Sequence, residues 1–235
     1  MAAMILFVGL PAFALLYQKP SCTDRRQNQG ELDIDCGGPC VLLCRNSEKE
    51  LVVEWQQSFK VIDGVYTAVA YIQNPNLNAE AQRVAYTFMI YDADNNLITE
   101  KKGTTYIPPG KKFVIMETGI NVGDRVAVRT FVELDKNITW VRAPLQRTEP
   151  VITKQALTNA STSPVIDADI QNSTFLDVPR VFVYALVYDN EGNAFAASRT
   201  IVDGLYRQTS QHIVFTWPQP FARNVSRFDL IVVPR

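Results

Sequence analysis

Histidine is nearly absent from this chain of 235 residues: His212 is the only one. With one imidazole there are no His-pair metal ligands, and Ser-His or Cys-His catalysis has almost nothing to draw on. No excess of either charge exists, since 23 basic and 24 acidic side chains leave a net charge of −1. That balance supplies no electrostatic footprint for nucleic acid. Cysteine is confined to four positions, none beyond Cys44. Charge is missing altogether from Met1 to Tyr17. No window of a dozen residues carries a convincing helical repeat, and Asn78 to Arg83 would give at most one turn. At 47% hydrophobic and 20% charged residues, the composition fits neither a disordered chain nor a polytopic membrane protein.

The uncharged N-terminal stretch is the first positive signal. As a helix, Met1 to Tyr17 would reach roughly 25 Å, a little short of a ~30 Å hydrocarbon core. It is expected to be a membrane anchor within residues 1–19. The alternative is a signal peptide cleaved near Ala12-Phe13-Ala14, which would leave a secreted protein. Lys19, Arg25 and Arg26 follow the run and would by themselves favour a cytoplasmic chain. The cysteines argue for the opposite side, and a charged region upstream of Met1 would account for both the short span and the absent charge before it.

Residues 20–46 hold Cys22, Cys36, Cys40 and Cys44 in a polar stretch with too few apolar side chains for a core, so covalent staples must hold it. Two disulfides are expected, and three pairings are possible. A four-cysteine zinc site is the alternative, although the spacing lacks two close pairs. Asp24, Asn28, Glu31, Asp33 and Asp35 place five hard oxygen donors within twelve residues, which makes calcium the metal they would suit. The competing reading is a loop whose acids cap its own turns. No other cofactor is expected.

Cys22-x-Asp24-x3-Asn28-x2-Glu31-x3-Asp35-Cys36-Gly37-Gly38-x-Cys40 resembles a short cysteine motif of bacterial surface and secreted proteins, with Arg25 standing where the motif usually has glycine. The resemblance implies an extracytoplasmic setting and no activity.

After Arg45 the pattern alternates with period two, as in half-buried strands. Val84, Tyr86, Phe88 and Ile90 share one face, as do Val126, Val128, Thr130, Val132 and Leu134. Val65 to Ile72 is a further run, and the uniformly apolar Phe228 to Val233 suggests a central strand. The halves repeat. Ala70-Tyr-Ile-Gln-Asn74 recurs as Ala168-Asp-Ile-Gln-Asn172, and Tyr91-Asp92 recurs as Tyr188-Asp189 before similar turn residues. Asp92 to Asn96 fails as an EF-hand loop, because Leu97 sits where glycine is required. The expected architecture is all-β: two tandem immunoglobulin-like sandwiches, residues 47–147 and 148–235, meeting near Ala143 to Thr153. Phe88-Met-Ile90-Tyr91-Asp92 resembles the signature of FxLYD-type immunoglobulin-like domains of bacteria and archaea. The second copy keeps only Tyr188-Asp189. That resemblance implies a cell-surface sandwich.

His212 falls in a strand pattern, and Pro108-Pro109-Gly110-Lys111-Lys112 lacks the P-loop signature. Trp55, Trp140 and Trp217 could stack on sugars, although in two sandwiches of this size such residues are more often core. Asn137, Asn159, Asn172 and Asn224 fit the N-x-[ST] sequon. The expectation is a non-enzyme with no catalytic residues, anchored by one span with its bulk outside the cytoplasm. Its partners would be the membrane and an unidentified envelope protein or glycan. Alternatives are an accessory subunit of an envelope or secretion complex, and a carboxylate-based hydrolase of envelope glycans.

Overall fold

The structure is a computed structural model describing residues 19–45, 47–144 and 149–234. The anchor or signal segment at Met1 to Tyr17 lies outside the described residues. Among those described, no helix is long and apolar enough to cross a membrane. Every named element is a strand. The first half contains β1 (Val52–Ile62), β2 (Val65–Gln73), β3 (Ala79–Tyr91), β4 (Leu97–Ile107), β5 (Lys112–Asn121), β6 (Arg129–Leu134) and β7 (Val141–Arg142). The second contains β8 (Val151–Thr158), β9 (Val165–Asn172), β10 (Val178–Tyr188), β11 (Ala194–Leu205), β12 (Thr209–Thr216) and β13 (Arg227–Pro234).

The sheets make the duplication explicit. The first half has β1-β2-β5 and β4-β3-β6, with β7 joining β3; the second has β8-β9-β12 and β11-β10-β13. β1 to β6 therefore correspond in order to β8 to β13. All pairings are antiparallel. Each pair of sheets closes over its own core. Ala68, Ala70, Ile72, Phe113 and Ile115 meet Val84, Phe88 and Ile90 in the first. Ile166, Ile170, Ile213 and Phe215 meet Val181, Val183 and Val187 in the second.

A third core joins the two sandwiches. The opposite faces of β1, β2 and β5 supply Phe59, Val69, Val114 and Met116, which pack with Tyr184, Leu186, Tyr188, Ala197 and Val233. Strands β2, β5 and β10 are thus apolar on both faces, which explains why Val65 to Ile72 does not alternate cleanly. The sheets that meet do not correspond to each other, so the contact is heterologous, like a head-to-tail interface. Gln57 Nε2 donates to Ala194 O (2.5 Å) and Arg199 Nη1 to Met116 O (3.3 Å) across it. The Arg227 guanidinium lies 3.8 Å from the Tyr188 ring centre, and burial pushes the Tyr188 phenol up to about 12.

Three local expectations are corrected. Phe228 to Val233 forms an edge strand rather than a central one. It is uniformly apolar because Phe228, Leu230 and Val232 pack on their own core while Ile231 and Val233 face the other sandwich. Val126 and Val128 precede β6 and are exposed; only Thr130, Val132 and Leu134 of that run lie in the strand, which begins after the Gly123-Asp124 turn. Asn78 to Arg83 carries no helical turn: β3 begins at Ala79, where pairing with β7 fixes extended backbone.

Candidate functional site

The cysteines pair as Cys22–Cys40 and Cys36–Cys44, and no free thiol remains among the described residues. Inside these staples, the polar residues of the motif hold the loop's own backbone. Asp24 accepts from Arg26 N (2.9 Å), Asn28 Nδ2 (2.8 Å) and Ser21 N (3.2 Å). The Asn28 amide holds the Asp24 carboxyl below its ordinary pKa. Asp35 accepts from Arg25 N with both oxygens, at 3.1 and 3.0 Å. Glu31 is buried, and its Oε2 accepts from Asn28 N and Asp35 N. Asp33 caps Ile34 N at 2.7 Å. Gly38 is required by contact: a Cβ there would lie 2.0 Å from Gly30 O.

Four of the five calcium candidates, Asp24, Glu31, Asp33 and Asp35, are therefore acceptors for neighbouring N–H groups, while Asn28 donates through Nδ2 to Asp24 and its buried Oδ1 has no hydrogen-bond partner. Among the described residues, the one set of three metal-type ligands within 4.8 Å is Cys22, Glu31 and Cys40, and its two sulfurs are joined to each other.

The neck is bound to the first sandwich rather than hinged on it. Leu42 bridges Val141, Arg142 N donates to Val41 O (2.7 Å), and Leu43 N donates to Trp140 O (3.0 Å). Arg142 Nη2 reaches Gly38 O at 2.6 Å. Asn76 clasps both backbone groups of Lys49, at 2.8 Å each.

The turn after each long central strand is self-supporting. Asp92 Oδ1 accepts from Asp94 N and Asn96 N, and Asp189 Oδ1 accepts from Glu191 N and Asn193 N. The backbone N–H of Asn96 heads the contacts that hold the Asp92 carboxyl low. This is Asx-turn chemistry, as the sequence suggests.

A concavity lies where the sandwiches meet. A cleft of about 550 Å³ opens between Gln57 to Val61 of β1, the start of β11, and the Trp217 to Arg223 loop. Its aromatic wall is a chain of edge-to-face contacts: Trp217 to Phe221 at 5.1 Å, and Phe221 to Phe195 at 5.4 Å. Arg223 pairs with Asp189 at 2.7 Å on the rim. The volume falls within the range of small-ligand and peptide sites, which favour domain junctions. Of this loop's cleft residues, the sequence pointed to Trp217 alone. The loop's signal was Trp217-Pro218-Gln219-Pro220-Phe221, an aromatic and proline string after a strand, but β1 lies far away in the chain.

The remaining candidates are dispersed. Trp140 packs on the first core, Trp217 on the second, and Trp55 on the junction core. His212 sits on the exposed face of β12 between Asp169 (3.1 Å from Nδ1) and Asp167 (3.3 Å from Nε2). These contacts, Asp169 first, raise its pKa.

These features define a protein of two tandem β-sandwiches with a disulfide-stapled neck. No protein-family model and no curated protein matches the chain. Among solved structures it is similar to a red sea bream transglutaminase, with 12% sequence identity and a TM-score of 0.28. The match covers 81% of this chain and 31% of the other, so the chain spans about a third of that enzyme's length.

Proposed function

We propose that this is an extracytoplasmic, membrane-anchored binding protein of the cell envelope. In this reading its sandwiches are immunoglobulin-like domains of FxLYD type and its role is non-catalytic. The junction cleft carries the proposal. It is walled by Trp217, Phe221 and Phe195, and it requires both sandwiches, since Gln57 to Val61 belong to one and the rest to the other. Two disulfides in a coreless neck support an oxidising compartment. The residues of the neck motif and of the Tyr-Asp turns act on local backbone, as expected for scaffold rather than chemistry.

Crosslinking in intact cells from a photoreactive residue at Gln219, followed by mass spectrometry, tests this reading. A specific adduct that disappears in Trp217→Ala supports it. Adducts with bulk envelope components that survive the substitution would remove the cleft from the account. The accessory-subunit reading draws on a different surface: Phe175, Leu176 and Tyr206 stand exposed on adjacent loops of the second sandwich. Specific adducts from a photoreactive residue at Phe175 rather than at Gln219 would favour it.

A further inference from the structure

The neck exposes apolar side chains that its staples do not require. Leu32 is 71% exposed, Val41 65%, Ile34 55% and Leu42 40%. They are close neighbours: the Leu32 side chain lies over Gly37, whose N–H donates to Leu42 O, and Asp33 pairs with Cys36 around Ile34. Apolar residues standing together on so small a module point to a surface that is covered in use. The Asp33 carboxylate beside them turns back onto Ile34 N.

Covalent geometry restricts what can cover them. From Tyr17, the end of the uncharged segment, to the stapled Cys22 is five residues, at most roughly 17 Å of fully extended chain. If the segment is embedded in a bilayer, the neck cannot stand clear of the lipid. Lys19, Arg25 and Arg26 are exposed on the same module and suit phosphate headgroups.

We infer that the neck docks on the bilayer surface through Leu32, Ile34, Val41 and Leu42, and so fixes the angle at which the sandwiches stand on the membrane. The inference rests on the anchor reading of Met1 to Tyr17. The angle follows from rigidity: Leu42 bridges Val141, Arg142 holds Gly38, and β7 pairs with β3. The staple and the first sandwich therefore move together, and the protein has a seat on the membrane rather than a flexible stalk.

The test uses the full chain in nanodiscs of brominated phosphatidylcholine, with single Trp substitutions Leu32→Trp, Val41→Trp and, as a remote control, Phe175→Trp. Fluorescence of the parent protein is subtracted, and intact mass confirms both disulfides in each variant. Quenching at positions 32 and 41 should be at least about twofold that at 175, as for side chains sunk into the headgroup boundary. Equal quenching at all three positions, in protein that resists carbonate extraction and retains its first seventeen residues, overturns the docking while leaving the anchor intact. Loss of those residues, or release by carbonate, overturns the anchor reading and the inference with it.

Discussion

Asn74 and Asn172 make the same contacts at the same place in the two halves. Each is wholly buried. Each Nδ2 donates to two carbonyls, Ala79 O and Pro108 O in one case, Leu176 O and Leu205 O in the other, at 2.8–3.1 Å. Each Oδ1 accepts a backbone N–H two residues on, from Asn76 or Thr174, at 3.0 Å. One amide thereby ties the ends of three strands in each sandwich, which gives the repeated Ile-Gln-Asn a physical reason.

Removing either amide orphans buried backbone groups. Asn74→Ala and Asn172→Ala should each cost roughly 2–3 kcal/mol, since a lost partner costs about 1–3 kcal/mol per buried polar group. Asn→Asp should do no better, because a carboxylate cannot donate. Chemical denaturation measures this; a change within about 0.5 kcal/mol would contradict it. The same burial makes the Asn172 sequon unusable, so expression in a glycosylating host should leave that site bare by peptide mapping.

Gly103 sits where a Cβ would lie 2.4 Å from the Tyr86 hydroxyl and 3.0 Å from Glu117 Oε1. That hydroxyl donates to Glu117 at 2.6 Å, and burial raises the phenol's pKa well above its ordinary value. Gly103→Ala should destabilise by about 1–3 kcal/mol through overpacking. Adding Tyr86→Phe, which removes the crowded oxygen, should recover part of the loss. Strict additivity in the double-mutant cycle would show that the two positions are not coupled.

Leu186 is fully buried and lies between the sandwiches rather than inside one. Leu186→Ala should cost roughly 2–5 kcal/mol. Leu186→Asp should separate the halves, so that calorimetry resolves two transitions where the parent unfolds in one. A single unshifted transition would mean that the third core contributes nothing.

His212 titrates between two carboxylates, with Lys154 3.7 Å from Asp169 on the neighbouring strand. Because its folded pKa is raised, its contribution to stability is complete below the unfolded value of about 6.5. That contribution is lost as pH rises through the raised value. NMR titration of the ring should place the midpoint above 6.5, and Asp169→Asn should lower it. A midpoint unchanged by the substitution would show that Asp169 does not act on the ring.

Arg25 holds a left-handed backbone, with φ of 61°, at the position where the motif it resembles has glycine. Its N–H, not its side chain, carries the contact to Asp35. Arg25→Gly should therefore preserve the neck and slow its reduction by dithiothreitol, since the left-handed penalty for a side chain is roughly 1–2 kcal/mol. Faster reduction would place the stabilisation in the guanidinium instead.

Much of this was legible in the chain. Val84, Tyr86, Phe88 and Ile90 announced a strand with one buried face, and they line the first core. The Asp92 and Asp189 turns could be read because an Asx turn is made by residues within a few positions of one another. The neck's cysteines announced staples, but not which staple: Cys36 could reach Cys40 as easily as Cys44 along the chain, and the fold of the loop around Glu31 selected between them. The residues at the junction were the least legible. Val69 and Leu186 look like interior residues of their own sandwiches, since apolarity on both faces of a strand does not say what the second face meets.

The sequence by itself determined the local order: alternating strands, the duplicated Asn and Asp turns, and a neck that must be cross-linked. These depend on period, propensity and residues near each other in the chain. The tertiary structure alone decided the cysteine pairing, the edge position of β13, the docking of β1-β2-β5 onto β11-β10-β13, and the cleft that docking creates. The cysteine pairing is made within one short module; the others arise from surfaces that meet across long chain separations, and burial of apolar area is non-directional. A sequence can show that such a face must be covered, while only the folded shapes settle what covers it.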